Sequence, residues 1–145
     1  MIPNALNTTE KIRTLSACPI FSKIPCDQLS VLAEMMTTEN LRSGETLFEC
    51  DDQSDRVYIV VRGSLDVFLP GRAERARILG PNKLLGEYGM FAGMARTATV
   101  KAQTDAVLLS LDYPRFHAFL LRYPEATLVL LQTVVERLVA AEKHG

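Results

Sequence analysis

The chain has 145 residues, of which 48% are hydrophobic, and its 16 basic and 17 acidic side chains give a formal net charge of −1. This length suits one compact domain over residues 1–145, and the apolar content predicts folding without disulfides or metals. The near-neutral balance argues against a general nucleic-acid binder, which would carry a basic face, so we expect no direct nucleic-acid binding.

The cysteines and the apolar runs exclude several further classes. There are three cysteines: Cys18, Cys26 and Cys50. Because their number is odd and they form no CxxC pair, we expect neither a disulfide framework nor a metal site. The first residues lack the basic-then-apolar pattern of a signal peptide, and runs such as residues 128–131 are too short to span a membrane. The sequence therefore predicts a cytoplasmic protein without membrane contact.

Helical signals come first along the chain, over residues 1–38. Asn7 followed by Glu10 is typical of a capping box, which predicts a helix that starts at this point. A second helix is expected to start near Asp27, because apolar residues follow at helical spacing: Leu29, Leu32, Ala33 and Met36.

Short apolar runs separated by turn residues fill the middle of the chain, residues 39–112. The runs are 46–50, 57–61, 64–69, 76–79, 98–102 and 106–111. Such spacing favours an antiparallel β-roll or jelly-roll barrel. With the helices at both ends, the predicted fold class is α+β, mainly β.

Two helices are expected to close the chain over residues 113–145. Asp112 can cap the first of them, and Pro124 can start the second, which should run from about Glu125 to Lys143. The apolar band of the last helix is too wide for one neighbour. Either the preceding helices cover it, or a partner copy or another protein covers part of it.

One segment, residues 86–102, combines residues suited to binding an anion and a hydroxyl. Gly86 and Gly89 allow backbone N–H groups to approach a ligand, and a short helical turn is expected from Tyr88 to about Ala92. Arg96 offers a planar fork for two phosphate oxygens, and Glu87 can accept a hydrogen bond from a hydroxyl. Glu87 and Arg96 could instead simply pair with each other at the surface.

This segment resembles the phosphate-binding cassette of the cyclic nucleotide-binding domain family. Gly86-Glu87, the apolar stretch after them and the run RTATVKA at 96–102 match the family pattern at kinase-type spacing. The resemblance extends over nearly the whole chain, for example to SGETLF at 43–48 and to the hairpin whose turn is Gly63.

The resemblance implies a set of ligand contacts. Glu87 would bind the ribose 2′-hydroxyl, and Arg96 would bind the exocyclic oxygens of the cyclic phosphate. Backbone amides around Gly89 and Thr97 would complete the cradle. The rest of the implied site is Gly86, Tyr88 and Ala98 in the cassette, with Val67, Leu85 and Met90 as pocket walls that could equally be plain core.

The sequence departs from the family at a few positions. Ala95 stands where the family usually has proline, and Asn82-Lys83 replaces the usual Gly-Asp, where asparagine still tolerates a left-handed turn. Thr97 occupies a position where cGMP-preferring kinase domains carry threonine, although bacterial cAMP binders carry serine or threonine there too. Overall similarity to bacterial members favours cAMP, with cGMP as the second possibility.

The sequence is compatible with two functions and argues against a third. The first is a regulatory module that binds a cyclic nucleotide, without a further cofactor, and transmits binding through its terminal helices. The alternative is the same fold without ligand, acting as a dimerisation or protein-interaction domain. An enzyme is not expected, because His117 and His144 are the only histidines and no nucleophile–base or metal pattern accompanies them.

Overall fold

The computed structural model describes residues 6–144, apart from the side chains of Tyr88 and His144. Helix α1 (Thr8–Ala17) starts at the predicted capping box: the Asn7 side chain accepts from the Glu10 N–H at 2.8 Å, and the Glu10 carboxylate accepts from the Asn7 N–H. Helix α2 (Cys26–Met35) begins directly after Pro25 and buries its predicted apolar face. The expectations for residues 1–5 and 145 lie outside the described residues.

Eight strands form two four-stranded antiparallel sheets within the described residues, which confirms the predicted β-roll. They are β1 (Thr37–Leu41), β2 (Thr46–Phe48), β3 (Arg56–Arg62), β4 (Leu65–Phe68), β5 (Arg77–Leu79), β6 (Leu84–Leu85), β7 (Thr99–Ala102) and β8 (Ala106–Asp112). The strand order is β1-β8-β3-β6 in one sheet and β2-β7-β4-β5 in the other.

The sequence did not predict β1 and β6. Strand β1 reads TTENL, which lacks apolar alternation, and it forms because each of its residues pairs in register with β8, from Thr37 opposite Ser110 to Leu41 opposite Ala106. The first strand therefore begins at Thr37, earlier than the expected start of the strand block at residue 39. Strand β6 has only two residues, too few to show a period.

Strand β3 contributes to two separate cores, because both of its faces are buried. Tyr58 and Val60 point into the space between the two sheets. Val57 and Ile59 point the other way, into a second core that the sheet shares with the helices. The sheet that contains β3 therefore lies between the interior of the roll and the helical layer.

Three further helices complete the chain: α3 (Glu87–Ala92), α4 (Tyr113–Arg122) and α5 (Pro124–His144). Asp112 caps α4 as predicted, accepting from the Arg115 N–H at 2.8 Å. Among the described residues no single helix is long and apolar enough to cross a membrane. Helices α4 and α5 reach that length and composition only as a pair, bent by 112° at their junction.

Candidate ligand site

The cassette helix α3 begins at a glycine that no other residue could replace without strain. Gly86 has φ +93°, and a Cβ there would lie 2.6 Å from the Arg56 carbonyl oxygen and 2.7 Å from Arg96 Nη1. The helix ends at Gly93, which is also left-handed with φ +66°. Upstream, Asn82 takes φ +69°, so the turn that replaces the family's Gly-Asp survives as predicted.

Helix α4 holds the cassette helix at both ends. The Tyr113 hydroxyl donates to the Gly86 carbonyl at 2.8 Å and forms a second hydrogen bond with the Ser54 hydroxyl. His117 Nε2 lies 3.0 Å from the Met90 carbonyl oxygen. A Cβ on Gly89 would collide with the Tyr113 and Ser54 hydroxyls, so the glycine allows α4 to pack close to the cassette.

Arg96 is the most unusual side chain of the site, because its guanidinium is buried with only 5% of the residue exposed. Nη2 donates to the Arg56 carbonyl at 2.9 Å and lies 3.7 Å from Asp55 Oδ1, and the guanidinium stacks 4.2 Å from the centre of the Phe48 ring. Nε and Nη1 are also buried, and neither finds a hydrogen-bond partner among the described residues.

The backbone of Arg96 is fixed by the loop between β2 and β3. Its N–H donates to the Asp52 carbonyl at 2.9 Å, and its carbonyl accepts from the Asp51 N–H at 2.8 Å. Asp51 adopts φ +74°, a left-handed conformation that bends the loop toward the cassette. The buried guanidinium therefore extends from a backbone that cannot readily shift.

Glu87 is the first residue of α3 and is half-buried. Burial raises the pKa of its carboxyl, while the positive charges of Arg137 on α5 and Arg77 on β5 oppose that shift. No ion pair joins Glu87 to Arg96 in the described part of the chain, where the charged partner of Arg96 is Asp55. The interpretation of Glu87 and Arg96 as a plain surface pair is therefore wrong.

A cavity of about 60 Å³ brings most of the predicted site residues together. The predicted residues that line it are Val67, Leu85, Gly86, Glu87, Gly89, Arg96, Thr97 and Ala98. Met90 does not line it: this side chain packs instead into the core between the sheet and the helices, because α3 turns that face toward α4. The side chain of Tyr88 lies outside the described residues.

The sequence reasoning missed several wall residues: Phe48, Ser54, Arg77, Leu79, Leu84, Ala95 and Val100. Phe48 had a signal, since it ends the run SGETLF that resembles the family's first long strand. Arg77 had none, because an exposed arginine on a short strand looks like an ordinary surface residue.

A second, larger cavity of about 490 Å³ adjoins the first. The two share Arg77, Leu79, Leu84 and Glu87, and the second also contacts residues 18–20, residues 82–83 and Arg137 of α5. Glu87 thus stands between a small cavity that contains the buried arginine and a wider one that reaches the last helix.

A β-roll with a buried arginine at a glycine-bounded cassette defines a class of ligand-binding domain. Comparison with known proteins identifies that class. The model of the cyclic nucleotide-binding domain matches residues 38–123, more than half of the chain. The chain belongs to the cyclic nucleotide-binding domain family.

Two relatives and one solved structure illustrate the match. The chain is 31% identical to a cyclic nucleotide-gated potassium channel of Mesorhizobium japonicum (88% of this chain, 35% of the channel). It is 29% identical to a cAMP-dependent protein kinase regulatory subunit of Eremothecium gossypii (70% of this chain, 22% of the subunit). The N-terminal domain of a transcriptional regulator from Streptomyces coelicolor A3(2) superposes with a TM-score of 0.82 at 32% identity, covering 90% and 94% of the two chains. The chain spans about a third or less of the two curated relatives.

Proposed function

We propose that the chain binds a 3′,5′-cyclic nucleotide and that Arg96 is the anchor for its phosphate. The observation that carries this proposal is a pair of buried donors on Arg96, Nε and Nη1, which have no hydrogen-bond partner in the described part of the chain. A buried charge with unmet hydrogen bonds is costly, and a phosphate supplies both the opposite charge and two oxygens in the geometry of the guanidinium fork. The cyclic phosphate would therefore complete the bonding of Arg96.

Glu87 would accept the ribose 2′-hydroxyl, since it lines the same cavity as Arg96. The ionised carboxylate is the stronger acceptor for a hydroxyl, and burial works against ionisation. Arg137 and Arg77 offset that effect by favouring the carboxylate. Burial remains the largest influence, so the pKa of Glu87 lies above its ordinary value despite the two arginines.

Both cAMP and cGMP fit this anchoring scheme, because it contacts only the phosphate and the ribose. The kinase regulatory subunit from Eremothecium gossypii, named for its dependence on cAMP, supports cAMP as a ligand of this chain. The family's named members include regulatory proteins, which supports a regulatory rather than a catalytic role.

Helix α5 would carry the signal to a second copy of the chain or to another protein. Four apolar residues, Leu128, Leu131, Val135 and Leu138, lie at alternating three- and four-residue spacing and are between 48 and 66% exposed. This is the spacing of a two-stranded coiled-coil seam. The exposed seam also favours the second candidate function, dimerisation, which is compatible with ligand binding.

Thermal denaturation in the presence of cyclic and open nucleotides tests the proposal. A cyclic nucleotide at a hundred times its Kd adds about 2.7 kcal/mol, or roughly 8 °C in Tm for a chain of this size. We expect this rise with cAMP or cGMP, and little rise with 5′-AMP or 5′-GMP.

The Arg96→Met variant should lose the thermal response, whereas Arg62→Met, which removes an exposed arginine at the end of β3, should keep it. A response to the cyclic nucleotide that survives in Arg96→Met would contradict the proposed anchor.

A further inference from the structure

The buried guanidinium of Arg96 lies against a pair of aromatic rings. It stacks on Phe48, with its Cζ atom 4.2 Å from the centroid of that ring, and the same atom is 5.7 Å from the centroid of the Tyr58 ring. Both distances fall within the roughly 6 Å over which a cation is attracted to the negative face of an aromatic ring. The two rings also pack on each other, with their centroids 6.2 Å apart.

Polar contacts alone do not fix the orientation of this guanidinium. Among the side chains and backbone groups that the structure describes, its partners are the Arg56 carbonyl at 2.9 Å and the Asp55 carboxylate at 3.7 Å, and both contact Nη2. The Asp55 contact is weak, because that side chain is 72% exposed and the attraction is screened by water. A guanidinium held only at Nη2 would be free to pivot about that nitrogen.

The ring of Phe48 reaches Arg96 because of how β2 pairs. Phe48 is the last residue of β2 and lies opposite Val100 in β7, the strand that follows Arg96 in the chain. The loop that leaves β2 then holds the backbone of Arg96 through two hydrogen bonds, one from the Asp51 N–H and one to the Asp52 carbonyl. The ring and the backbone of the arginine are therefore fixed by the same stretch of chain.

We propose that Phe48 is the positioning residue for Arg96: its ring fixes the plane of the guanidinium, and with it the directions in which Nε and Nη1 donate, before any ligand arrives. This inference rests on the proposed function, in which the cyclic phosphate completes the bonding of those nitrogens. Stacking fixes the plane, and the hydrogen bond from Nη2 to the Arg56 carbonyl fixes the rotation within that plane.

An anchor that is held in advance binds phosphate more tightly than a mobile one. Arginine loses much rotamer freedom when it is ordered, and a ligand that finds the side chain already ordered does not bear that cost. The ring also keeps water from one face of the guanidinium, which strengthens its attraction to an anion. Weakening the ring's hold should therefore lower nucleotide affinity even though Arg96 itself is unchanged.

Fluorination of the Phe48 ring tests the inference with little change of shape. Phenylalanines with one, two and three ring fluorines at this position weaken the negative face of the ring step by step. Calorimetric titration with cAMP and cGMP should show an affinity that falls with each fluorine, to about a tenth of the wild-type value with three. An affinity that stays constant through the series would overturn the inference.

The matched control is the same fluorine series at Phe68. Its ring also has a cationic neighbour, Lys101 Nζ at 5.7 Å, but it lines neither of the two cavities next to Glu87. Nucleotide affinity should stay at the wild-type value throughout this series. A fall equal to that at Phe48 would overturn the inference, because the effect would then not depend on contact with Arg96.

Nuclear magnetic resonance of the nucleotide-free chain separates this inference from the proposed function. The Nε–H proton of Arg96, assigned by its absence in Arg96→Met, should resonate upfield of the exposed arginines, because a proton over the face of an aromatic ring is shielded. In Phe48→Leu it should move to the position of the exposed arginines, and an unchanged position would overturn the inference. If the folded wild type binds no cyclic nucleotide, the proposed function fails, while this measurement still decides whether Phe48 holds Arg96.

Discussion

Replacing Tyr113 with phenylalanine tests whether α4 positions the cassette. The change removes one hydroxyl that donates to the Gly86 carbonyl at 2.8 Å and also bonds to Ser54. The Gly86 carbonyl keeps a weaker partner, the Met90 N–H at 3.3 Å, so it is not left fully unsatisfied. The loss should therefore be about 1–2 kcal/mol in the free energy of unfolding, or roughly 5 °C in Tm.

The same change should weaken nucleotide binding several-fold, because Gly86 immediately precedes the proposed ribose ligand Glu87. Urea denaturation measures the first effect, and calorimetric titration with cGMP or cAMP measures the second. Tyr123→Phe is the matched control, since Tyr123 lies at the other end of α4 and packs its ring on Phe119. Wild-type stability and affinity in Tyr113→Phe, or an equal loss in Tyr123→Phe, would show that the Tyr113 hydroxyl does not position the cassette.

Three other changes probe separate parts of the structure. Burial raises the pKa of the Glu87 carboxyl above its ordinary value of 4.5, so the folded state loses stability as the pH rises from 4.5 through the folded pKa. Glu87→Gln should therefore raise Tm at pH 7, change it little below pH 4.5, and still weaken nucleotide binding. Gly86→Ala should lower stability by about 2 kcal/mol or more, visible as an earlier urea midpoint, because the new Cβ meets the Arg56 carbonyl and Arg96. Leu131→Lys combined with Leu138→Lys should abolish any dimer seen by analytical ultracentrifugation without lowering Tm of the monomer, since both side chains are exposed; a dimer that persists would place the interface elsewhere.

The sequence predicted most of the fold because the relevant signals are local. The capping box at Asn7, the cap at Asp112 and the left-handed turn at Asn82 are each specified within a few residues. Strand β1 escaped prediction for the opposite reason: its polar residues form a strand only because β8, about seventy residues away, supplies the hydrogen-bonding partner. No local pattern could reveal that pairing.

The candidate site likewise combines residues of one contiguous motif with residues that only the fold brings together. Arg96 and Glu87 stand in a contiguous motif, and the structure places both in one cavity, although their contacts with a ligand stay predictions. Met90 shows the limit of a motif, because a cassette residue can face either the cavity or the core, and the choice is set by how α3 packs on α4. Tyr113 and Arg137 come from helices far along the chain, and only the folded structure brings them to the cassette.

Calorimetric titration of the wild type and of Arg96→Ala with cAMP and cGMP shows whether the buried guanidinium anchors the nucleotide. We expect saturable binding by the wild type and an affinity at least about thirtyfold lower in the variant, because the cyclic phosphate loses the buried guanidinium that pairs with it. Equal affinities in the two proteins, with both folded by circular dichroism, would show that Arg96 is not the phosphate anchor.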